Sequence, residues 1–131
     1  MPHPKMKAII DILQRRTMDD KLVWEETEEE GFYQIAFPRY AVRVSKRPTK
    51  VSGTTGTDYL VSIYNTEGKL IDEVSDLDMQ EDYTDSDPYY MMKELYDNAR
   101  RSAMGVQTAL GDILKNLEES GEKEEDSGDR E

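Results

Sequence analysis

The sequence predicts an α+β domain: a short N-terminal helix, a four- to five-stranded antiparallel meander, and a long C-terminal helix packed on one sheet face. Three observations carry that prediction. Apolar residues recur at steps of three and four near both ends of the chain, apolar and polar residues alternate in the middle, and a glycine turn joins two alternating segments too closely for a crossover.

The first helix covers residues 6–17, where Met6, Ile9, Ile10, Leu13 and Thr17 share one side and Lys7, Asp11 and Arg15 the other. Residues 1–5, with Pro2 and Pro4 around His3, read as a flexible N-terminus. Alternating segments rich in Val, Ile, Tyr and Phe follow at 22–27, 32–37, 40–47, 59–64 and 69–74. The run "NTEGK", 65–69, joins the last two as a hairpin, with Gly68 supplying the left-handed residue of a type I turn plus G1 bulge. Gly31 does the same between the first two segments. A two-residue Pro38-Arg39 loop would set Tyr33 opposite Val44, Ile35 opposite Val42 and Phe37 opposite Tyr40. Proline cannot take the positive φ of a type I′ turn, so a wider turn or a bulge is expected there.

Residues 72–87 carry acids and no base, and read as a loop. Asp87 then suits a helix N-cap and Pro88 the first helical position. Met92, Tyr96, Ala99, Ala103, Val106, Leu110, Ile113 and Leu117 follow in alternating steps of four and three. Unbroken, that helix would run about 45 Å, longer than the sheet is wide, so its far end is expected to fray or to pack on a second copy or a partner. Small residues at Ala99, Ser102, Ala103 and Gly105 predict close packing on the sheet. Residues 118–131 hold −6 of the chain's −12 net charge and read as a disordered acidic tail, which leaves one domain at 6–117.

Composition excludes several chemistries. With no cysteine there are no disulfides, thiolate zinc sites or thiol nucleophiles. A single His3 in the N-terminal segment removes the common Ser–His triads, so no catalytic residue, metal or cofactor is assigned and the chain is expected not to be an enzyme. "SGTTGT", 52–57, lacks the lysine of a phosphate-binding P-loop and opens no helix. In the acidic segment, Asp76, Asp78, Gln80 and Asp87 fall at positions 1, 3, 5 and 12 of an EF-hand count, but Glu81 stands where that loop turns on glycine. No apolar run approaches the roughly 20 residues of a membrane span, and a soluble, cytoplasmic protein is expected.

Between Gly31 and Thr57 lie five Lys or Arg and no acid. If Tyr40, Val42 and Val44 face the core, Ala41, Arg43, Ser45 and Arg47 face away, beside Phe32, Gln34 and Ala36 on one neighbour and Ser62 and Tyr64 on the other. Arg43, Ser45, Arg47, Gln34 and Tyr64 thus form a candidate interaction face, since interfaces are enriched in Arg and aromatics. Three readings stay open: a solvated strand whose arginines pair with carboxylates, a protein-binding or self-associating face, and a small-ligand, nucleotide or anion site. Nucleic acid fits poorly with an acidic chain. The functional expectation is a non-enzymatic cytoplasmic interaction module, adaptor- or chaperone-like, with ligand binding on the Arg-rich face as the alternative.

The stretches "VWEE", "FPRYAVRVSKR", "DYLVSIYNTEGKLIDEVSD" and "ELYDNARRSAMGVQTALGDIL" resemble a family of small prokaryotic α+β proteins of unknown function, across most of residues 6–117. That resemblance implies a helix, a meander and a final helix, and no activity or site residues. At the level of fold there is also a likeness to bacterial secretion chaperones, small acidic α/β proteins that dimerise and bind client segments. Here no helix is evident between the third and fourth strands, and fold alone does not fix function.

Overall fold

The computed structural model describes residues 2–49, 53 and 55–127, with side chains described as far as Ser120. Its elements are α1 (Pro4–Met18), β1 (Glu25–Glu26), β2 (Tyr33–Ala36), β3 (Tyr40–Pro48), β4 (Thr57–Asn65), β5 (Leu70–Ser75), α2 (Pro88–Ala103) and α3 (Val106–Ser127). The five strands form one antiparallel sheet in the order β1-β2-β3-β4-β5, the expected meander. α2 lies across the inner face of the sheet, from β1 to β4, and α1 packs beside α2.

Pleat alternation selects the inner face. Tyr33, Ile35, Val42, Val44, Tyr59, Val61 and Val74 point to it and are buried with Met92, Leu95, Tyr96 and Ala99 of α2 and Met6, Ile10 and Leu13 of α1. Rings of Tyr33, Tyr96, Tyr59 and Tyr89 follow one another at centroid distances of 5.5–5.6 Å in tilted or edge-on arrangements. These rings seam α2 to β2 and β4. Ala99, fully buried, leaves room for the two layers to approach there.

The β2–β3 register is the expected one, with Tyr33 opposite Val44 and Ile35 opposite Val42. The connection is narrower than expected: the Phe37 N–H donates to the Tyr40 carbonyl at 2.7 Å across Pro38-Arg39, and neither loop residue takes a positive φ. The proline is accommodated because the turn is not a primed one. At "NTEGK", Gly68 has φ +79°, its N–H donates to the Asn65 carbonyl, and Asn65 Oδ1 accepts from the N–H groups of Glu67 and Lys69. The pairing then slips by one residue between Ile63 and Tyr64, as a bulge requires.

Three expectations change. The first strand is confined to Glu25–Glu26, because the Trp24 N–H donates to Ser102 Oγ of α2 instead of entering the ladder. The N-terminal segment is docked: Pro4 opens α1 and the His3 N–H donates to Asp82 at 2.7 Å. The C-terminal helix is divided at Met104-Gly105, where Gly105 takes φ +65° and its N–H donates to the Ser102 carbonyl, a left-handed helix stop. α3 therefore leaves the direction of α2, and its side chains from Thr108 to Ser120 are exposed. It is helical through Ser127, over the first part of the segment expected as an acidic tail; residues 128–131 lie outside the described residues.

Trp24 closes the core below β1. Its indole Nε1–H donates to Thr17 Oγ1 at 2.9 Å, and that hydroxyl donates to the Leu13 carbonyl at 2.6 Å. Thr17→Val keeps the shape but leaves a buried indole N–H without an acceptor, and is expected to cost about 1–3 kcal/mol in urea unfolding. Thr17→Ser, which keeps the oxygen, should cost clearly less; equal losses would show that the methyl group matters and the hydrogen bond does not.

Candidate functional site

The face opposite the helices carries the candidate residues. β3 pairs with β2 and β4 so that Arg43 stands between Gln34 and Ser62, and Ala41 between Ala36 and Tyr64. Arg43 is three-quarters or more buried by what it touches: Nε donates to Gln34 Oε1 at 2.9 Å, the guanidinium lies 4.9 Å from the centre of the Tyr64 ring, and the terminal nitrogens reach Glu28 at 3.5 Å and Glu29 at 3.7 Å. Gln34, Arg43 and Tyr64 are thus brought together as expected. The glutamates are the addition: they sit in the β1–β2 turn, where Gly31 with φ +85° folds the chain back over β3. A backbone hydrogen bond and the Arg43 charge hold the Glu28 carboxyl below its ordinary range.

Around this clamp is an open groove of about 530 Å³, lined by Glu28, Glu29, Phe37, Tyr40, Arg43 and Tyr64 among others. Phe37 and Tyr40, which alternation aimed at the core, are instead about half exposed: they flank the Pro38-Arg39 turn at the end of the β2–β3 hairpin and line this groove. Ser45 is on the outer face but buried, paired with Leu60, which is buried too. Arg47 pairs in register with Asp58 and is half-buried, its Nε without a hydrogen-bond partner. Ser45 and Arg47 therefore belong to a covered part of the face, apart from the groove. Lys50, Val51, Ser52 and Thr54 of the connector lie outside the described residues.

The acidic segment does not gather into a cation site. Asp76 Oδ1 accepts from the Tyr59 N–H at 2.8 Å, Asp78 Oδ2 accepts from the Ser75 N–H at 2.9 Å, and Asp87 caps α2 by accepting from the Tyr89 N–H at 3.0 Å. Gln80 is exposed. Three of the four positions of the EF-hand count are thus engaged in separate backbone tasks, and among the described residues no group of three or more His, Cys, Asp or Glu could hold a metal ion. Tyr83, whose hydroxyl donates to Asp11 at 2.7 Å, and buried Met79 fasten this segment to the rest of the fold. Among the described residues no helix is long and apolar enough to cross a membrane.

What sequence reasoning missed is the partnership of Arg43 with Glu28 and Glu29, which are remote along the strand order until the turn at Gly31 closes. The available signal was that the residues paired with Arg43 on its two neighbouring strands, Gln34 and Ser62, carry no charge to balance it.

Three substitutions test these assignments. Arg43→Met should lower stability by about 1–2 kcal/mol by removing the charge-assisted bond and the ring contact. Glu28→Gln should have a smaller effect that high salt erases, since that carboxylate is solvated. Burial raises the pKa of Asp76, with the Tyr59 N–H opposing it and the charge of Asp58 adding to it. A raised carboxylate pKa penalises the folded state above that pKa, and the penalty disappears as pH falls toward the unfolded value. Asp76→Asn, which keeps an oxygen for the Tyr59 N–H, should therefore be the more stable form at neutral pH, with its advantage shrinking in acid; an advantage independent of pH would remove Asp76 as the cause. No protein-family model matches the chain, and no curated protein or solved structure shows significant similarity to it.

Proposed function

We propose that the protein is a non-enzymatic cytoplasmic interaction module whose contact surface is the apolar side of α3. One observation carries this reading: Leu110, Ile113, Leu114 and Leu117 are 51, 54, 57 and 63% exposed on one side of a helix that has left the core. A contiguous stripe of large aliphatic side chains in water is unfavourable by roughly 25 cal/mol for each Å² that a partner could cover. Within the domain α3 packs against the end of α2, and the sheet that buries α2 does not reach it.

The Arg-rich face supports the alternative less well. The Arg43 guanidinium is already engaged by two carboxylates, an amide and a ring, so an anion would have to displace Glu28 and Glu29 from it. The perturbed tyrosines also have structural causes: burial raises Tyr96 to about 12 and raises Tyr59 as well, both within the ring seam between α2 and the sheet.

A photoreactive residue placed at position 113 in the full chain, irradiated in the cells that make it, should yield a discrete cross-linked species. The same residue at position 115, on the opposite side of α3, should yield much less. Absence of any species at position 113 would overturn the assignment of α3 as a contact surface.

A further inference from the structure

Resting on that assignment, we infer that the occupant of the α3 stripe is the α3 of a second copy of this chain, lying antiparallel to the first. The seam residues Val106, Leu110, Ile113 and Leu117 are spaced by four, three and four residues, a pattern that reads the same from either end. A two-fold axis at the middle of the stripe therefore places Leu110 against Ile113 of the other copy and Val106 against Leu117, with each contact made twice, as a closed symmetric interface demands. A seam of alternating three- and four-residue steps is also the pattern by which helices pair at a shallow angle.

Charge favours the same occupant. A chain of net charge −12 can meet its own copy only through a surface that brings no acids together. The residues flanking the seam, Gln107, Ala109, Leu114 and Asn116, are all uncharged, while Asp112, Lys115, Glu118 and Glu119 sit on the sides and back of the helix. A dedicated basic partner would be matched by acidic flanks, and there are none along the seam. Antiparallel pairing also carries the acidic end of one α3, at Glu118 and Glu119, toward the root of the other, where Arg100 and Arg101 are exposed on the last turn of α2.

The root offers a receptacle. Between the end of α1, the segment before β1 and the α2–α3 corner is a groove of about 390 Å³, lined by Met18, Leu22, Val23 and Val106, with one acid, Asp20, and one base, Arg101, among the rest. Val23 and Met18 are among the most exposed large apolar residues of the molecule, and both are at this groove. The far end of a partner α3 would cover them. That addition matters because twelve residues of helix, about 18 Å, bury little by themselves, and stable interfaces cover about 1,200–2,000 Å² in total.

The test uses the full chain in sedimentation velocity across a concentration series, with far-ultraviolet circular dichroism to confirm folding. Wild type should sediment as a dimer that dissociates on dilution. Leu110→Glu should weaken the dimer by about a hundredfold or more, since it sets an uncompensated charge in the seam, without lowering the stability of the monomer, where position 110 is exposed. Mixing Leu110→Glu with Ile113→Lys should restore a mixed dimer, because antiparallel pairing opposes 110 to 113. Restoration instead by Leu110→Glu with Leu110→Lys would mean parallel helices and overturn the arrangement. A dimer untouched by Leu110→Glu would overturn α3 as its interface. A monomer at every concentration that still cross-links at position 113 would overturn the second copy while leaving α3 a contact surface; a monomer with no cross-link would end both readings.

Discussion

The contact between α2 and the inner face of the sheet is the constraint on which the other features depend. Met92, Leu95, Tyr96 and Ala99 fall at helical spacing on one side of α2, and each is buried to within a few per cent. Ala99 gives the close approach that brings Tyr96 between Tyr33 and Tyr59, and the Tyr96 hydroxyl then reaches the Gly31 carbonyl at 3.3 Å. One helix face thus holds the central strands and also the β1–β2 turn, which carries Glu28 and Glu29 over Arg43. The clamp on the outer face is in this sense set from the inner one. Ser102, one turn further on, holds Trp24 by its backbone N–H, and Trp24 in turn holds α1 through Thr17.

Charge is distributed to suit this frame. Three carboxylates of the domain accept from backbone N–H groups: buried Asp76 from Tyr59, half-buried Asp82 from His3 and exposed Asp87 from Tyr89. Each use ends a strand, starts a helix or fixes a terminus, and so does work that an apolar residue could not. The basic segment of β3 divides in the same way. Val42 and Val44 are core, Arg43 is enclosed by its four partners, and the Lys46 ammonium lies 5.3 Å from the Tyr96 ring at the margin of the core. Of the basic residues of this segment, Arg43 is matched by carboxylates and Lys46 is placed against a ring.

Periodicity made the sheet legible. Alternation in 33–36 and 40–48 fixed which residues face inward and, with the turn residues, which face each other. Asp87-Pro88 and Gly68 are local signals, and their physics does not depend on the rest of the chain. Three features were not legible, each for a different reason. The break at Gly105 was hidden because the apolar spacing runs through it without interruption; one glycine in a helical pattern costs only about 1 kcal/mol and can equally be a stop. The truncated first strand depends on Ser102 competing for the Trp24 N–H, a contact between residues far apart in sequence. The burial of Ser45 depends on what covers the outer face, and alternation gives the direction of a side chain but not its cover.

The break at Gly105 changes what the apolar spacing beyond it means. Up to Ala103 that spacing is satisfied by the sheet, and the energy of the helix comes from burial. Beyond Gly105 the same spacing continues for three turns with no sheet beneath it. A helix of this length with glycine at 111 is marginal by propensity alone, since nucleation is costly and each residue adds little. Its persistence as an amphipathic helix is then coupled to covering Leu110, Ile113, Leu114 and Leu117, because the apolar face is where the missing free energy can come from. Had the chain needed only a soluble end, polar residues at those four positions would have served without the hazard of an exposed stripe. The left-handed turn at Gly105 aims that stripe away from the domain's own core, and on the reading proposed above the surface that covers it is brought by another molecule.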